Sequence, residues 1–131
     1  MLFRLLDNNN SKNKLKPDID PDTNKQDTDT DKKFLCRQCL QVISSPKECI
    51  ELQGSHKHTF ANPQGIIYEI GCFKNAMGCG YTGTLTNEYT WFRGFSWKIA
   101  LCSLCLTHLG WLFISSEGTS FNGLILNRLV E

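Results

Sequence analysis

Apolar and polar positions divide the chain at Phe34. Ahead of it a short apolar run, "MLFRLL", is followed from Asn8 to Lys33 by a stretch almost without large apolar side chains. Such a segment cannot bury enough surface to offset the entropy of ordering it, so residues 1–33 are expected to be a disordered tail. After Phe34 the pattern is that of strands. "GIIYEIGCF" (65–73) is rich in β-branched and aromatic residues. In "FSWKIAL", Phe95, Trp97, Ile99 and Leu101 point one way and Ser96, Lys98 and Ala100 the other. "GWLFIS" (110–115) and "LILNRLV" (124–130) read as further strands, and "SSPK", "ANPQG", "NAMGCGYTG" and "SSEGTS" carry turn chemistry. No segment has a long helical stripe. Residues 34–131 are therefore expected to form one small all-β domain of short antiparallel strands, and 131 residues leave little room for a second.

Charge changes this picture little. The formal net charge is +1, which gives no electrostatic case for nucleic acid or an anionic membrane as partner. All seven aspartates precede Phe34 and all six glutamates follow it. The Asp-x-Asp pattern of the tail lacks the turn glycine and closing glutamate of an EF-hand loop. "MLFRLL" is too short for a secretory signal, and no apolar run approaches the ~20 residues of a membrane span. A cytoplasmic protein is the expectation.

Seven cysteines are present: Cys36, Cys39, Cys49, Cys72, Cys79, Cys102 and Cys105. The odd number argues against a closed disulfide framework. Four of them form "CRQC" and "CSLC", and two CxxC turns can complete a four-sulfur zinc site. The 62 residues between the pairs far exceed the ~15–20 of a zinc ribbon, so such an ion would staple the two ends of the domain together. Four sulfurs leave no open position for a catalytic water, so one structural zinc is expected on Cys36, Cys39, Cys102 and Cys105. Cys49 and Cys72 read as small core residues on strands, and Cys79 as a loop residue. His108, in "CLTH", is expected to be a hydrogen-bonded structural histidine, and His56 and His58 exposed residues.

All three tryptophans, Trp91, Trp97 and Trp111, fall between Tyr89 and Phe113, around the second CxxC pair. Arg93-Gly94 reads as a turn, and the antiparallel return after the knuckle is expected to bring Trp111 beside Trp97. Composition leaves two readings open, an ordinary core or an aromatic box. A box would suit a methylated ammonium, held by cation–π attraction, or a small flat neutral ring.

In this order "CRQC", "NPQG", "WFRGFSW", "CSLCLTHLGW" and "FNGL" resemble the motifs of the CULT domain, a thalidomide-binding domain family, most closely in its stand-alone bacterial form. The resemblance runs from Phe34 to about Val130. It implies a fold of two small antiparallel sheets packed at an angle, the β-tent, pinned by one four-cysteine zinc. It implies a ligand cage walled by Trp91, Trp97 and Trp111, with Phe113 at its base, Asn62 at the rim and the ligand's imide edge near Tyr89 and Trp91. Ligands of the family are cyclic imides and similar rings, including uracil-type nucleosides. In the family's ligase-associated member the cage resembles a reader of C-terminal cyclic imides on damaged proteins.

Two positions depart from the pattern: Tyr89 stands where that member has histidine, and Arg93 where the turn has proline. Its ligase-joining domains are absent from this sequence, so no ubiquitin-ligase partner is implied. The expectation is a ligand-binding module without catalysis. "CSLCLTHLGWLF" also resembles the zinc knuckle of B-type methionine sulfoxide reductases, but those enzymes need a nucleophilic cysteine on a late strand and none follows Phe113. A methyl-ammonium reader is the other alternative. Glu88 is the only acid near the tryptophans, which favours a neutral ligand.

Overall fold

The computed structural model of the protein describes residues 32–131. Apart from Lys32 and Lys33, the tail expected over residues 1–33 lies outside the described residues. In chain order the strands are β1 (Phe34–Cys36), β2 (Val42–Ser44), β3 (Lys57–Ala61), β4 (Ile67–Phe73), β5 (Cys79–Thr86), β6 (Phe95–Cys102), β7 (His108–Ser115), β8 (Ser120–Ile125) and β9 (Leu129–Val130). Two 3-10 turns, Pro46–Glu48 and Leu126–Arg128, are the only helical pieces among the described residues. Every strand pairing is antiparallel. The fold is all-β, with a three-stranded sheet ordered β2-β1-β9 and a six-stranded sheet ordered β3-β4-β8-β7-β6-β5. Among the described residues no helix is long and apolar enough to cross a membrane.

Two buried clusters hold these sheets. The first gathers Cys36, Ile43 and Leu129 from the small sheet with Phe73, Cys102, Leu109 and Leu124 from the large one, and so joins them. The second lies on the large sheet and is phenylalanine-rich: Phe92, Phe113 and Phe121 pack edge-on or stacked, with ring centroids 4.9–5.1 Å apart. Each such ring contributes roughly 1.5–3 kcal/mol by leaving water. The three tryptophans pack on the margin of this second cluster and stay half-buried.

Several local expectations are corrected. Cys79 is not on a loop; it opens β5, paired with Cys102 of β6. β5 is an edge strand, exposed along most of its length, and so lacks the alternation that marks a half-buried strand. Leu124–Val130 is not one strand. Ile125 ends β8 in the large sheet, Leu129 enters β9 in the small one, and the 3-10 turn Leu126–Arg128 makes the change of sheet. Cys72 is fully buried, but Cys49 is exposed and forms only a single bridge to Phe73. Ala100, on the face of β6 opposite Trp97, is fully buried, and a register shift follows it before Leu101.

Strand crowding singles out two glycines. A Cβ on Gly110 would lie 2.0 Å from the Gly123 carbonyl oxygen, and one on Gly78 2.1 Å from that of Val42. Both obstacles are backbone, which cannot swing aside. Gly110→Ala should therefore destabilise the domain by ~3 kcal/mol or more. Gly118→Ala, at φ 90 but with nothing near its Cβ, should cost only the ~1 kcal/mol of a left-handed residue. Urea denaturation of the two variants checks the difference; equal losses would show that backbone crowding at Gly110 is relieved.

Candidate metal centre and ligand cavity

Each CxxC turn is built the same way. In the first, the Leu40 N–H donates to the Cys36 carbonyl at 2.7 Å and the Cys36 N–H to that of Gln41 at 2.8 Å. In the second, Leu106 donates to Cys102 and Cys102 to Thr107, both at 2.8 Å. Leu40 and Leu106 take left-handed backbone, φ 66 and 67, to turn the chain. The two knuckles meet. Cys36 Sγ lies 3.6 Å from Cys105 Sγ and Cys39 Sγ 3.5 Å from Cys102 Sγ, and all four sulfurs lie within 4.8 Å of one another. A disulfide needs ~2.05 Å. A tetrahedron of metal–sulfur arms of ~2.3 Å has edges of ~3.8 Å, close to what is found. The group can hold one metal ion. Gln41 ties the knuckles together, its Nε2 donating to the Ser103 hydroxyl at 2.7 Å and the Gly78 carbonyl at 3.2 Å.

The thiols differ in acidity. The Thr107 hydroxyl, 3.0 Å away, and the Thr107 backbone N–H lower Cys105 to about 6, so this sulfur is a thiolate at neutral pH. Burial pushes Cys72 and Cys79 up to about 12, and partial shielding from water raises Cys49 although its surface stays exposed. These three stay protonated and are poor nucleophiles. His108 is not in the sulfur cluster. His56 and His58 are half-buried rather than exposed; their ring nitrogens bond the Ile50 and Leu52 carbonyls and their rings meet Phe73 and Phe92 edge-on.

A cavity of about 360 Å³ opens beside the tryptophans, at the small end of the ~300–1,000 Å³ usual for ligands. It is lined by Trp91, Trp97, Trp111 and Phe113, with Tyr89 and Asn62 also at its edge. Pairing of β6 with β7 explains the floor. Trp97 stands opposite Phe113, and Ile99 opposite Trp111, so the period of two puts all four on one face. Trp111 is therefore diagonal to Trp97, not beside it. Its close neighbour is Trp91, at 4.7 Å and near a right angle. Trp91 in turn stacks on Phe60 at 4.9 Å.

Hydrogen bonds fix two of the indoles. Trp91 Nε1 donates to the Ala61 carbonyl at 3.1 Å, and Trp97 Nε1 to that of Glu88 at 2.8 Å. The second bond also anchors the connection between β5 and β6, which carries Tyr89 at φ 58 with its side chain 72% exposed. The turn Phe92–Phe95 closes by a 3.0 Å bond, with Gly94 at φ 87 and Arg93 taking the place before it. Asn62 serves its own loop: its Oδ1 accepts from the Gln64 and Ile66 N–H groups at 3.0 and 2.9 Å. Among the described residues, the backbone N–H of Trp91 and the backbone carbonyl of Tyr89 have no hydrogen-bond partner.

The cavity also draws in residues the sequence did not single out as lining. Tyr68 comes from β4 and Ile99 from β6; Pro63 and Gln64 come from the turn after β3. His108, expected to be merely structural, lines it too. Its Nε2–H donates to the Gly110 carbonyl at 3.0 Å and its ring meets Trp111 edge-on at 4.9 Å. Burial lowers its pKa, the Gly110 bond opposes this and the Arg128 charge reinforces it, so His108 is neutral at neutral pH.

Comparison with known proteins bears on this arrangement. The protein cereblon of Drosophila erecta is 36% identical over 119 aligned residues, 69% of this chain and 20% of the relative. Those of Drosophila willistoni and Drosophila melanogaster are 37% and 35% identical, each over 61% of this chain and 14% of the relative. This chain carries a cereblon-like CULT domain. The chain spans a fifth or less of the length of these curated relatives. No protein-family model matches it.

In this CULT domain Cys36 and Cys102 belong to the buried cluster that joins the two sheets and Cys39 packs against it, so loss of the sulfur cluster should be felt throughout the fold. Cys102→Ser, which removes a buried ligand, should abolish retention of the ion and lower the melting temperature by ~15 °C or more. Cys49→Ser, at an exposed thiol outside the cluster, should leave both unchanged. Native mass spectrometry and thermal melts check this; an ion-free protein with unaltered melting would remove the stapling role.

Proposed function

We propose that the CULT domain binds a small, neutral, planar ring, a cyclic imide or a uracil-type base, in the tryptophan-lined cavity, without catalysing a reaction. The four cysteines hold one structural zinc, whose preference for tetrahedral sulfur suits the spacing of the thiols. A reducing cytoplasm, in which thiols persist, is the fitting compartment.

The observation that carries the ligand reading is the pairing of apolar walls with two unspent backbone groups. The Trp91 N–H and the Tyr89 carbonyl are one donor and one acceptor, two residues apart, at the edge of a cavity whose indoles are already anchored. An imide edge offers the complement: an N–H beside a carbonyl. Ring faces against indoles would supply most of the affinity, and this edge the orientation. Because these contacts use backbone, tyrosine at position 89 is compatible with them. Peptides ending in a cyclic imide present the same edge and belong to the same ligand class. The proposal concerns the domain alone and assigns it no ubiquitin-ligase partner.

A ring of about eight heavy atoms, at roughly 1 kcal/mol per atom and so below the ~1.5 kcal/mol reached by the best tiny ligands, gains about 8 kcal/mol, and micromolar affinity or weaker is expected. Titration of the zinc-loaded chain with a glutarimide and with uridine, followed by tryptophan emission, tests this. Trp97→Ala or Trp111→Ala should abolish detectable binding. An N-methylated imide should bind at least tenfold more weakly, because it loses the donor and leaves the Tyr89 carbonyl covered by the ligand but unpaired, at ~1–3 kcal/mol. Equal binding of methylated and free imides would sink the proposed edge recognition, and preference for a trimethylammonium ligand would favour a methyl-ammonium reader. Residues 1–33 are proposed to be dispensable. A chain starting near Asp31 should keep the affinity of the full chain, and a tenfold loss would show that the tail contributes to the cavity.

A further inference from the structure

We infer that Arg128, which does not itself line the cavity, is a positioning residue that sets the cavity's selectivity for uncharged ligands. This rests on the reading of the cavity as a site for neutral rings and names the group that enforces it.

Arg128 closes the 3-10 turn between the two sheets, and its backbone is fixed from the metal side. The Arg37 N–H, inside the first knuckle, donates to the Arg128 carbonyl at 3.0 Å, and Arg37 Nη1 donates to the Asn127 carbonyl at 3.2 Å. The next residue, Leu129, pairs with Cys36. The side chain reaches toward the cavity instead. Arg128 Nη1 donates to the His108 carbonyl at 2.8 Å, and the guanidinium carbon lies 5.8 Å from the centre of the Tyr68 ring. His108 and Tyr68 both line the cavity, and both meet Trp111 edge-on, at 4.9 and 5.2 Å. One side chain thus braces two lining residues and, through them, a tryptophan.

The charge is not neutralised locally. Arg128 is half-buried, and among the described residues no carboxylate pairs with it. An ammonium in the cavity would face this fixed cation across a single layer of side chain, in surroundings where water screens poorly. Tyr68, whose π-face a cation would seek, already interacts with the guanidinium. A neutral ring meets neither obstacle. The other groups around His108 add no opposing charge: Trp111 meets it edge-on from the same strand, Leu101 is its partner on β6, and Tyr68, which lines the cavity from β4, meets Trp111. Glu88, the acid nearest the tryptophans in sequence, is exposed and bonds only through its backbone, its carbonyl accepting from Trp97 Nε1 and its N–H donating to the Thr86 hydroxyl.

The test uses the full zinc-loaded chain, Arg128→Gln and Arg128→Lys, with melting curves to verify folding. Glutarimide and tetramethylammonium are titrated by tryptophan emission, and the His108 ring is titrated by NMR. Arg128→Gln keeps a donor but loses the charge. The ratio of glutarimide to tetramethylammonium affinity should fall at least tenfold, and His108 should titrate at higher pH than in the wild type. Arg128→Lys keeps the charge and should keep the ratio. A parallel loss of both ligands in Arg128→Gln, or an unmoved ratio, would reduce Arg128 to a structural residue and overturn the inference. So would a folded Arg128→Lys that loses discrimination. If the wild type binds neither probe, the neutral-ring reading fails, and the His108 titration alone decides for Arg128: a rise in Arg128→Gln upholds its electrostatic role, and no change refutes it.

Discussion

The convergence of four thiols from two distant turns is the constraint on which the rest of the molecule depends. Cys39 and Cys102 are 63 positions apart, yet their sulfurs come within 3.5 Å. Four sulfurs drawn this close without disulfides are favourable chiefly when an ion shares them, and closing a loop of this length removes much of the freedom of the unfolded chain. The three-stranded sheet is short, with strands of three, three and two residues. So small a sheet is marginal by itself. It persists because β1 runs straight into the first knuckle, Leu129 pairs with Cys36, and the cluster of side chains around the cysteines spans both sheets.

The aromatic residues sort into two layers by exposure. Phe73, Phe92, Phe113 and Phe121 are essentially without solvent contact and fill the interior. Trp91, Trp97 and Trp111 stand on the margin of that interior, half-buried. The indole N–H explains part of the difference. Full burial would require an acceptor for each, and the chain beside the cavity supplies acceptors for two, the Ala61 carbonyl at the end of β3 and the Glu88 carbonyl in the connection before β6. The same bonds that satisfy the indoles hold the loops that shape the mouth.

The sulfur cluster and the cavity are neighbours along β7. Cys105 ends the second knuckle, His108 begins the strand, and Trp111 and Phe113 follow at the cavity. Arg128 makes a second link, from the first knuckle through Arg37 to the His108 carbonyl. The wall is thus held from both knuckles.

Features governed by near neighbours were legible in the sequence. The CxxC turns were, because two thiols three apart on a tight turn face one point whatever surrounds them. So were β4, β6 and β7, because alternation and β-branched content reflect one buried face. Gathering of the tryptophans was visible, but composition by itself favoured an ordinary core and left the box open, and the naming of Asn62, Tyr89 and Phe113 came from motif resemblance. Tertiary structure alone decided the rest. Register set Trp97 against Phe113 and Trp111 against Ile99, because the knuckle loop and the shift after Ala100 determine where β7 begins its pairing. β5 was hidden because an edge strand with exposed faces carries no hydrophobic pattern. Tyr68, His108 and Arg128 meet from three separate elements, and their role depends on distances across the sheet that no local pattern encodes.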